Sequence, residues 1–501
     1  DEFTYIISML KDDQVLLKNE IDTSDSVYQK WKDQKISPKE YLNYCITQHW
    51  IDISQLNVDE KYADSTEVYD ALCKYILKNI KTDTEFSKII YQYMITRGEI
   101  SPRQLCLILF DQGVLDYDDA TVNKLKNGSL SPRDFLMKKI YNIEITPAQL
   151  ALEPCIGSCV VTDEKTGEIR AMVSYPGYDS NKLANGVDSE YFASLQHDKS
   201  SPLLNYATQQ KTAPGSTFKL VSATAGLAEN VITTSDQIRC TGIYNDISNK
   251  PKCWIYPGSH GLDNVSEAIR DSCNVFFYTV GNRLEQKKTG SYNDANGIDL
   301  IQKYAHIYGL DQKTGLEISE SKSSVATKYP VMAAIGQSDN NYTTVALSRY
   351  VTAVASGKKY NYQLMNKIVD ADGKTVKKYK ADYEDISDTL TSSQWDAIHS
   401  GMREVVSTMD RFQGFDIPVA GKTGTAQQDG HANHGLFVGY APYDDPEITI
   451  AVRIANGYNS HNAATAARNV ISYYYKETSM KDIKEMKAAG ANGNIRNSVA
   501  D

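Results

Sequence analysis

Three short segments, far apart in the chain, restrict it most. Pro214-Gly215-Ser216-Thr217-Phe218-Lys219 sets a Ser after Pro-Gly at the head of an apolar helical run, Leu220 to Leu227, that gives out near Glu229-Asn230. In the first turn of such a helix Lys219 shares a face with Ser216, three residues before it. An amine and a hydroxyl held that way can exchange a proton, which is what makes a Ser nucleophilic. Ser272-Cys273-Asn274 follows 56 residues on (272 − 216), and Lys422-Thr423-Gly424-Thr425 another 150 beyond (422 − 272). Each segment alone has a plain structural explanation. Ser216 and Lys219 could be an ordinary helix pair, Ser272 and Asn274 helix caps, and Lys422-Thr423-Gly424 an edge strand. Together and in this order they spell a serine acyl-transfer set.

A chain of 501 residues is too long for one core, so two or three domains are expected. Hydrophobic and charged contents of 41% and 23% are those of a globular protein. A net charge of −10 and the lack of a basic cluster exclude a nucleic-acid partner. No apolar run reaches the ~20 residues of a membrane helix. Asp1-Glu2-Phe3-Thr4 has no basic n-region, so no signal peptide is expected there. The eight Cys form no tight framework, and they leave the compartment open.

Residues 1–150 read as a mostly helical N-terminal region. Ser37-Pro38-Lys39-Glu40, Ser101-Pro102-Arg103-Gln104, Ser131-Pro132-Arg133-Asp134 and Thr146-Pro147-Ala148-Gln149 each put a hydroxyl at N-cap, Pro at N1 and an acid or amide at N3. Apolar residues follow at helical spacing, as in Tyr41, Leu42, Cys45, Ile46 and Trp50. No catalytic constellation occurs here, which suits a spacer or interaction module. Near Leu152-Glu153-Pro154 the texture changes, and residues 158–174 read as a β-hairpin; Cys155 and Cys159 beside it could pair. Residues 231–264 look irregular. Ser272 and Asn274 fall in a loop between two helices, and further helices are expected over 298–309 and 342–356. Strands over 418–426, 436–442 and 448–454 precede a closing helix, Ala463 to Tyr475. With the early hairpin they predict a five-stranded, mainly antiparallel sheet flanked by helices over residues 151–480, an α+β fold. A polar tail, 481–501, is expected to fray.

From Leu152 to Thr478 the chain resembles the transpeptidase domain of class B penicillin-binding proteins. The three motifs carry the likeness, together with Arg239-Cys240-Thr241-Gly242, Cys253-Trp254, His260-Gly261, Gly309-Leu310, Thr314-Gly315, Ile335-Gly336-Gln337 and Phe437-Val438-Gly439-Tyr440-Ala441-Pro442. Ser338 departs from it, since Gly commonly follows Gly-Gln. Residues 1–150 show no glycosyltransferase signature, as in class B, and match the non-catalytic pedestal by position alone. The resemblance implies a peptidoglycan D,D-transpeptidase acting on stem peptides and acylated by β-lactams. It also implies cell-wall synthesis partner proteins and a place on the extracytoplasmic face of the bacterial plasma membrane, through an N-terminal anchor absent from this chain.

The residue roles follow from chemistry, with the family in support. Ser216 would attack the carbonyl of a D-Ala-D-Ala stem peptide, and neutral Lys219 would take its proton. Lowering a Lys pKa from ~10.4 to the ~7–8 of a working base costs about 4 kcal/mol, for which burial and the second cation, Lys422, are the sources. Ser272 would relay the proton to the leaving amine, and Asn274 would position Lys219 and the peptide. Lys422 and Thr423 would hold the terminal carboxylate, Gly424 would admit the substrate as an added strand, and the Ser216 and Thr425 N–H groups would form the oxyanion hole. A serine β-lactamase, a β-lactam sensor and a non-catalytic wall scaffold are the competing functions; the first needs a water-activating Glu that the sequence does not place.

Cys240, Cys253 and His260 lie in the irregular stretch, with Asp246 and Asp263 nearby in sequence. Two thiolates, an imidazole and a carboxylate make a closed tetrahedral Zn²⁺ set, with Asp246 the expected fourth ligand because it falls between the thiols. Such an ion would brace a loop beside the active site. A Cys240–Cys253 disulfide is the alternative.

Overall fold

The computed structural model describes residues 2–56, 58, 64–142, 144–145, 156–287, 290, 292–428 and 432–484. The fourth capping signature at 146–149, any Cys155–Cys159 bridge and the tail beyond 484 lie outside these residues. The chain divides into two compact units, Asp1–Lys139 and Ile140–Asp501.

The first unit is helical, from Glu2–Asp12 to a last helix, Pro132–Tyr141, that runs past its end. Helices Pro38–Thr47 and Pro102–Asp111 begin with Ser37 and Ser101 in complete capping boxes, and Ser131 Oγ caps Asp134 N at 3.1 Å. Three repeats of the same device thus satisfy otherwise orphaned N–H groups. Tyr41, Leu42, Cys45, Ile46 and Trp50 are buried as their spacing predicts, with Trp31 stacked on Tyr41 at 4.9 Å.

The second unit is organised by a five-stranded antiparallel sheet. Its strands are β1 (Ile156–Asp163), β2 (Ile169–Tyr175), β3 (Ala420–Ala426), β4 (His434–Ala441) and β5 (Ile448–Ala455), in the order β3-β4-β5-β1-β2. β1 and β2 form a hairpin whose turn is tied by Asp163 Oδ1, which accepts from Thr166 N at 2.9 Å. β4 and β5 are buried along nearly their whole length, as strands covered on both faces are. Helix Thr344–Ser356 is fixed to the sheet by buried hydroxyl pairs: Ser158–Thr344 at 2.7 Å, Thr162–Ser348 at 2.9 Å and Thr352–Thr449 at 2.6 Å. Ser460–Tyr474 closes the unit against β4 and β5, with Asn459 as its N-cap. Among the described residues β3 has a single strand neighbour, β4, and so lies at an edge of the sheet.

The stretch 231–264 is less irregular than its polar sequence suggests. Ile238–Cys240 and Gly261–Asp263 pair as a two-stranded ribbon, with Cys240 opposite Gly261. That register carries Cys240 next to His260, two positions separated by 20 residues in sequence.

Candidate active site

Ser216 lies on a 3₁₀ turn, Gly215–Phe218, which leads into the helix Lys219–Ala228. Every residue of that helix from Lys219 to Leu227 is buried, so the turn is anchored from behind. Gly215 (φ +51°) and Gly336 (φ +77°) are pressed together here: Gly215 N donates to Gly336 O at 3.2 Å, and a Cβ on Gly336 would lie 1.9 Å from Gly215 O. Ile335-Gly336-Gln337 thus supports the turn that carries Ser216. Ser338 adopts φ +65°, the left-handed backbone that favours Gly, and its Oγ donates to Lys328 O at 2.8 Å.

Ser272 falls between helix Val265–Arg270, opened by an Asn264–Glu267 capping box, and helix Asn274–Gln286, whose N-cap is Cys273. Its φ of +51° is unfavourable for a non-Gly residue. That backbone turns the hydroxyl into a cluster of amines. Lys219 Nζ donates to Ser272 O and to Asn274 Oδ1, each at 2.6 Å, and lies 3.1 Å from Ser272 Oγ. Lys422 Nζ donates to the same Ser272 Oγ at 3.0 Å and to Thr423 O at 3.2 Å. Both lysines are fully buried. Three segments spread over two hundred residues therefore meet at one hydroxyl.

Along β3, Thr423 and Thr425 are the more exposed residues, while Lys422, Gly424 and Ala426 are buried. Gly424 has a tighter reason to lack a side chain than admitting substrate. A Cβ there would lie 2.7 Å from Pro214 O and 2.9 Å from Thr217 Cγ2, so the strand packs directly on the nucleophile turn. A cleft of about 660 Å³ opens over this junction, lined by Ser216, Asn274 and Thr425 together with Trp254, Tyr278, Gln337 and Asn433. The last four carry no motif, and only the landmarks Cys253-Trp254 and Gly336-Gln337 hint at two of them.

Behind the Ser272 loop, Cys240, Cys253, His260 and Cys273 present ligand atoms that all lie within 4.8 Å of one another. The fourth member is Cys273, not Asp246. Asp246 is exposed in the segment beyond the ribbon, whereas the helix turn at Ser272 drives the Cys273 thiol inward. Asp263 is buried beside the cluster but is not one of the four. The three thiols are unbridged, so the Cys240–Cys253 disulfide is not formed. The single Cys273 S–H proton, shared between Cys240 and Cys253, holds both below the usual thiol range, while Cys273 itself is pushed up. Burial works against a charged His260, but the two neighbouring thiolates outweigh it and raise its pKa to about 9. His260 Nδ1 lies 3.6 Å from Cys253 Sγ, and its buried Nε2 has no hydrogen-bond partner. A compact, buried S₃N donor set with an orphaned imidazole nitrogen fits a tetrahedral soft metal ion. The signal available in sequence was Cys273 itself, the middle residue of Ser-x-Asn.

Residues 157–472 match the family model for the penicillin-binding protein transpeptidase domain. The peptidoglycan D,D-transpeptidase MrdA of Haemophilus influenzae is 30% identical over 362 residues, which cover 64% of this chain and 53% of the relative. The chain thus spans about half the length of such curated relatives. A solved chain of a peptidoglycan synthase complex, studied for its coordination of polymerization and crosslinking, is 28% identical with a TM-score of 0.57, covering 65% of this chain and 56% of that one. Pseudomonas aeruginosa PBP2 in complex with WCK 5153 is 26% identical with a TM-score of 0.54, covering 65% and 75%. With the Ser216, Ser272 and Lys422 segments brought to one cleft, the chain belongs to the penicillin-binding protein transpeptidase family.

Proposed function

We propose that the chain is a peptidoglycan D,D-transpeptidase that works through an acyl-enzyme on Ser216 and is inhibited by β-lactams. The observation that carries this is the convergence of two buried amines on Ser272 Oγ, at 3.1 and 3.0 Å. Two ammonium ions so close in a dry site would repel strongly, so one amine is neutral. Lys219, on the turn that bears Ser216, takes that role and removes the Ser216 proton as Oγ attacks the penultimate carbonyl of a D-Ala-D-Ala stem. The proton returns through Ser272 Oγ to the leaving amine. Lys422 stays charged and, with Thr423, faces the terminal carboxylate. Asn274 holds Lys219 Nζ and orients the donor peptide, which lies against the open edge of β3. The N–H groups of Ser216 and Thr425 are the candidate oxyanion donors.

The Cys240-Cys253-His260-Cys273 cluster would hold a structural Zn²⁺, which would supply cross-linking of the Ser272 loop and no step of the acyl transfer. Residues 151–480 form the catalytic domain, and residues 1–150 serve as a pedestal for cell-wall synthesis partners. The chemistry requires a place at the outer face of the plasma membrane, where stem peptides are cross-linked. Intact-mass measurement after exposure to benzylpenicillin tests the assignment. The wild type should gain one adduct mapping to the Ser216 peptide and Ser216→Ala none, and only the wild type should turn over stem-peptide donors. A rapidly hydrolysed adduct would point to a β-lactamase instead, and a stable adduct without stem-peptide turnover to a sensor.

A further inference from the structure

The cluster of Cys240, Cys253, His260 and Cys273 shares two of its segments with the catalytic site. Cys273 stands between Ser272, whose Oγ lies 3.1 Å from Lys219 Nζ and 3.0 Å from Lys422 Nζ, and Asn274, whose Oδ1 accepts from Lys219 Nζ at 2.6 Å. Cys253 is buried, yet it also forms part of the wall of the catalytic cleft, next to Trp254. Its Sγ accepts from Asn274 N at 3.3 Å and so touches the start of the helix that Cys273 caps. The Cys253 and Cys273 sulfurs lie within 4.8 Å of each other.

A thiolate at the wall of a cleft is within reach of a small oxidant, and the class that fits is a peroxide. The Cys253 thiolate attacks one peroxide oxygen, the O–O bond breaks, hydroxide leaves and a sulfenic acid remains. The Cys273 thiolate then attacks the Cys253 sulfur, the S–O bond breaks and a second hydroxide leaves. With two protons from solvent, two thiolates have become one disulfide and one hydrogen peroxide has become two waters. Closing that bond brings the sulfurs to ~2 Å from a spacing of up to 4.8 Å. Whichever end moves belongs to the catalytic site. The Cys253 end carries the cleft wall at Trp254, and the Cys273 end carries Ser272 and Asn274. Cys240 and His260 are then the donors left, two where a structural zinc site needs four.

We infer that Cys253 is an oxidative modification site, at which a peroxide closes a Cys253–Cys273 disulfide that reversibly switches off acylation. This rests on the acyl transfer and the zinc site proposed above, and the proposed place outside the plasma membrane is one where disulfides persist. The test treats protein purified with zinc with hydrogen peroxide. Zinc release is followed with pyridylazoresorcinol, thiol pairing by non-reducing peptide mass mapping, and acylation by intact mass with benzylpenicillin. Zinc should be released in step with a linked Cys253–Cys273 peptide. The linked protein should be acylated about 100-fold more slowly, the effect of a misplacement of about 1 Å. Dithiothreitol with added zinc should restore the untreated rate, which damage to methionines would not allow. Protein acylated at Ser216 beforehand should form the linked peptide several-fold more slowly, because the adduct blocks the way to Cys253. A linked peptide with an unchanged acylation rate, lost acylation without that peptide, or equal linking rates in free and acylated protein would overturn the inference. Untreated protein that benzylpenicillin does not acylate would overturn the acyl-transfer reading, and untreated protein without zinc the metal reading. In either case, absence of the linked peptide would still overturn the thiol pair.

Discussion

Gly424→Ala separates the catalytic role of β3 from its structural one. The backbone of Gly424 is not left-handed, so Ala brings no conformational penalty there, and the added methyl acts by contact alone. It would sit 2.7 Å from Pro214 O and 2.9 Å from Thr217 Cγ2. Ordinary contact begins near 3.4 Å, so strand and nucleophile turn must separate by about 0.7 Å (3.4 − 2.7). Pro214 precedes the turn that carries Ser216, and Thr217 follows Ser216, so the displacement falls on the nucleophile. Overpacking of this size costs about 1–3 kcal/mol of stability, a drop of a few degrees in Tm for a unit this large. A misplacement of about 1 Å costs on the order of 100-fold in rate, or ~2.7 kcal/mol in the barrier. The assay is the second-order rate of benzylpenicillin acylation followed by intact mass, beside a thermal melt of the same sample. A folded variant acylated about 100-fold more slowly is expected. Wild-type acylation with a lowered Tm would refute the idea that Gly424 sets the distance between the strand and Ser216.

Other perturbations test separate parts of the site. Ser272→Ala and Ser272→Gly both remove the shared hydroxyl and should both lose acyl transfer, but at φ +51° the Gly variant should be more stable by about 1 kcal/mol in denaturant unfolding; equal stability would deny the strain. Metal analysis should find about one zinc per chain in the wild type and in Asp246→Asn, and little in Cys273→Ser, with a lower Tm; retained zinc in Cys273→Ser would remove that thiol from the ligand set. Glu285 is buried, and desolvation, with Asp294 nearby, raises its carboxyl pKa to about 7 from an ordinary 4.5. The folded state keeps that proton longer than the unfolded state, so this contribution to stability is complete below about pH 4.5 and is lost as pH rises through about 7. Between pH 5 and 8, Glu285→Gln should therefore gain on the wild type by up to about 3 kcal/mol in urea unfolding; parallel pH profiles would contradict it.

The three motif segments and the sheet were legible in the sequence because they rest on local patterns. Short apolar runs mark β1, β2, β4 and β5, and Pro-Gly before Ser216 marks the turn that carries it. The capping boxes at Ser37 and Ser101 follow from residues three apart. What was not legible depends on register and backbone torsion. Cys273 looked like a spacer within Ser-x-Asn, and only the left-handed Ser272 and the helix behind it drive that thiol inward. Asp246 lies between the two thiols in sequence, yet the Ile238–Cys240 ribbon pairs back to Gly261–Asp263 and leaves it in solvent. Tyr278 and Asn433 reach the cleft from elements whose packing no short motif encodes.

The outer edge of β3, if it takes one extended peptide as proposed, would by the same backbone chemistry suit a neighbour's strand and begin aggregation. β3 carries a safeguard against this in Lys422, whose side chain is fully buried. Charged as proposed, its Nζ is held by Ser272 Oγ and Thr423 O, so an intruding chain that displaced the Ser272 loop would strand a buried ammonium. A lysine placed for the proposed chemistry would thereby also limit which chains can lie against the sheet.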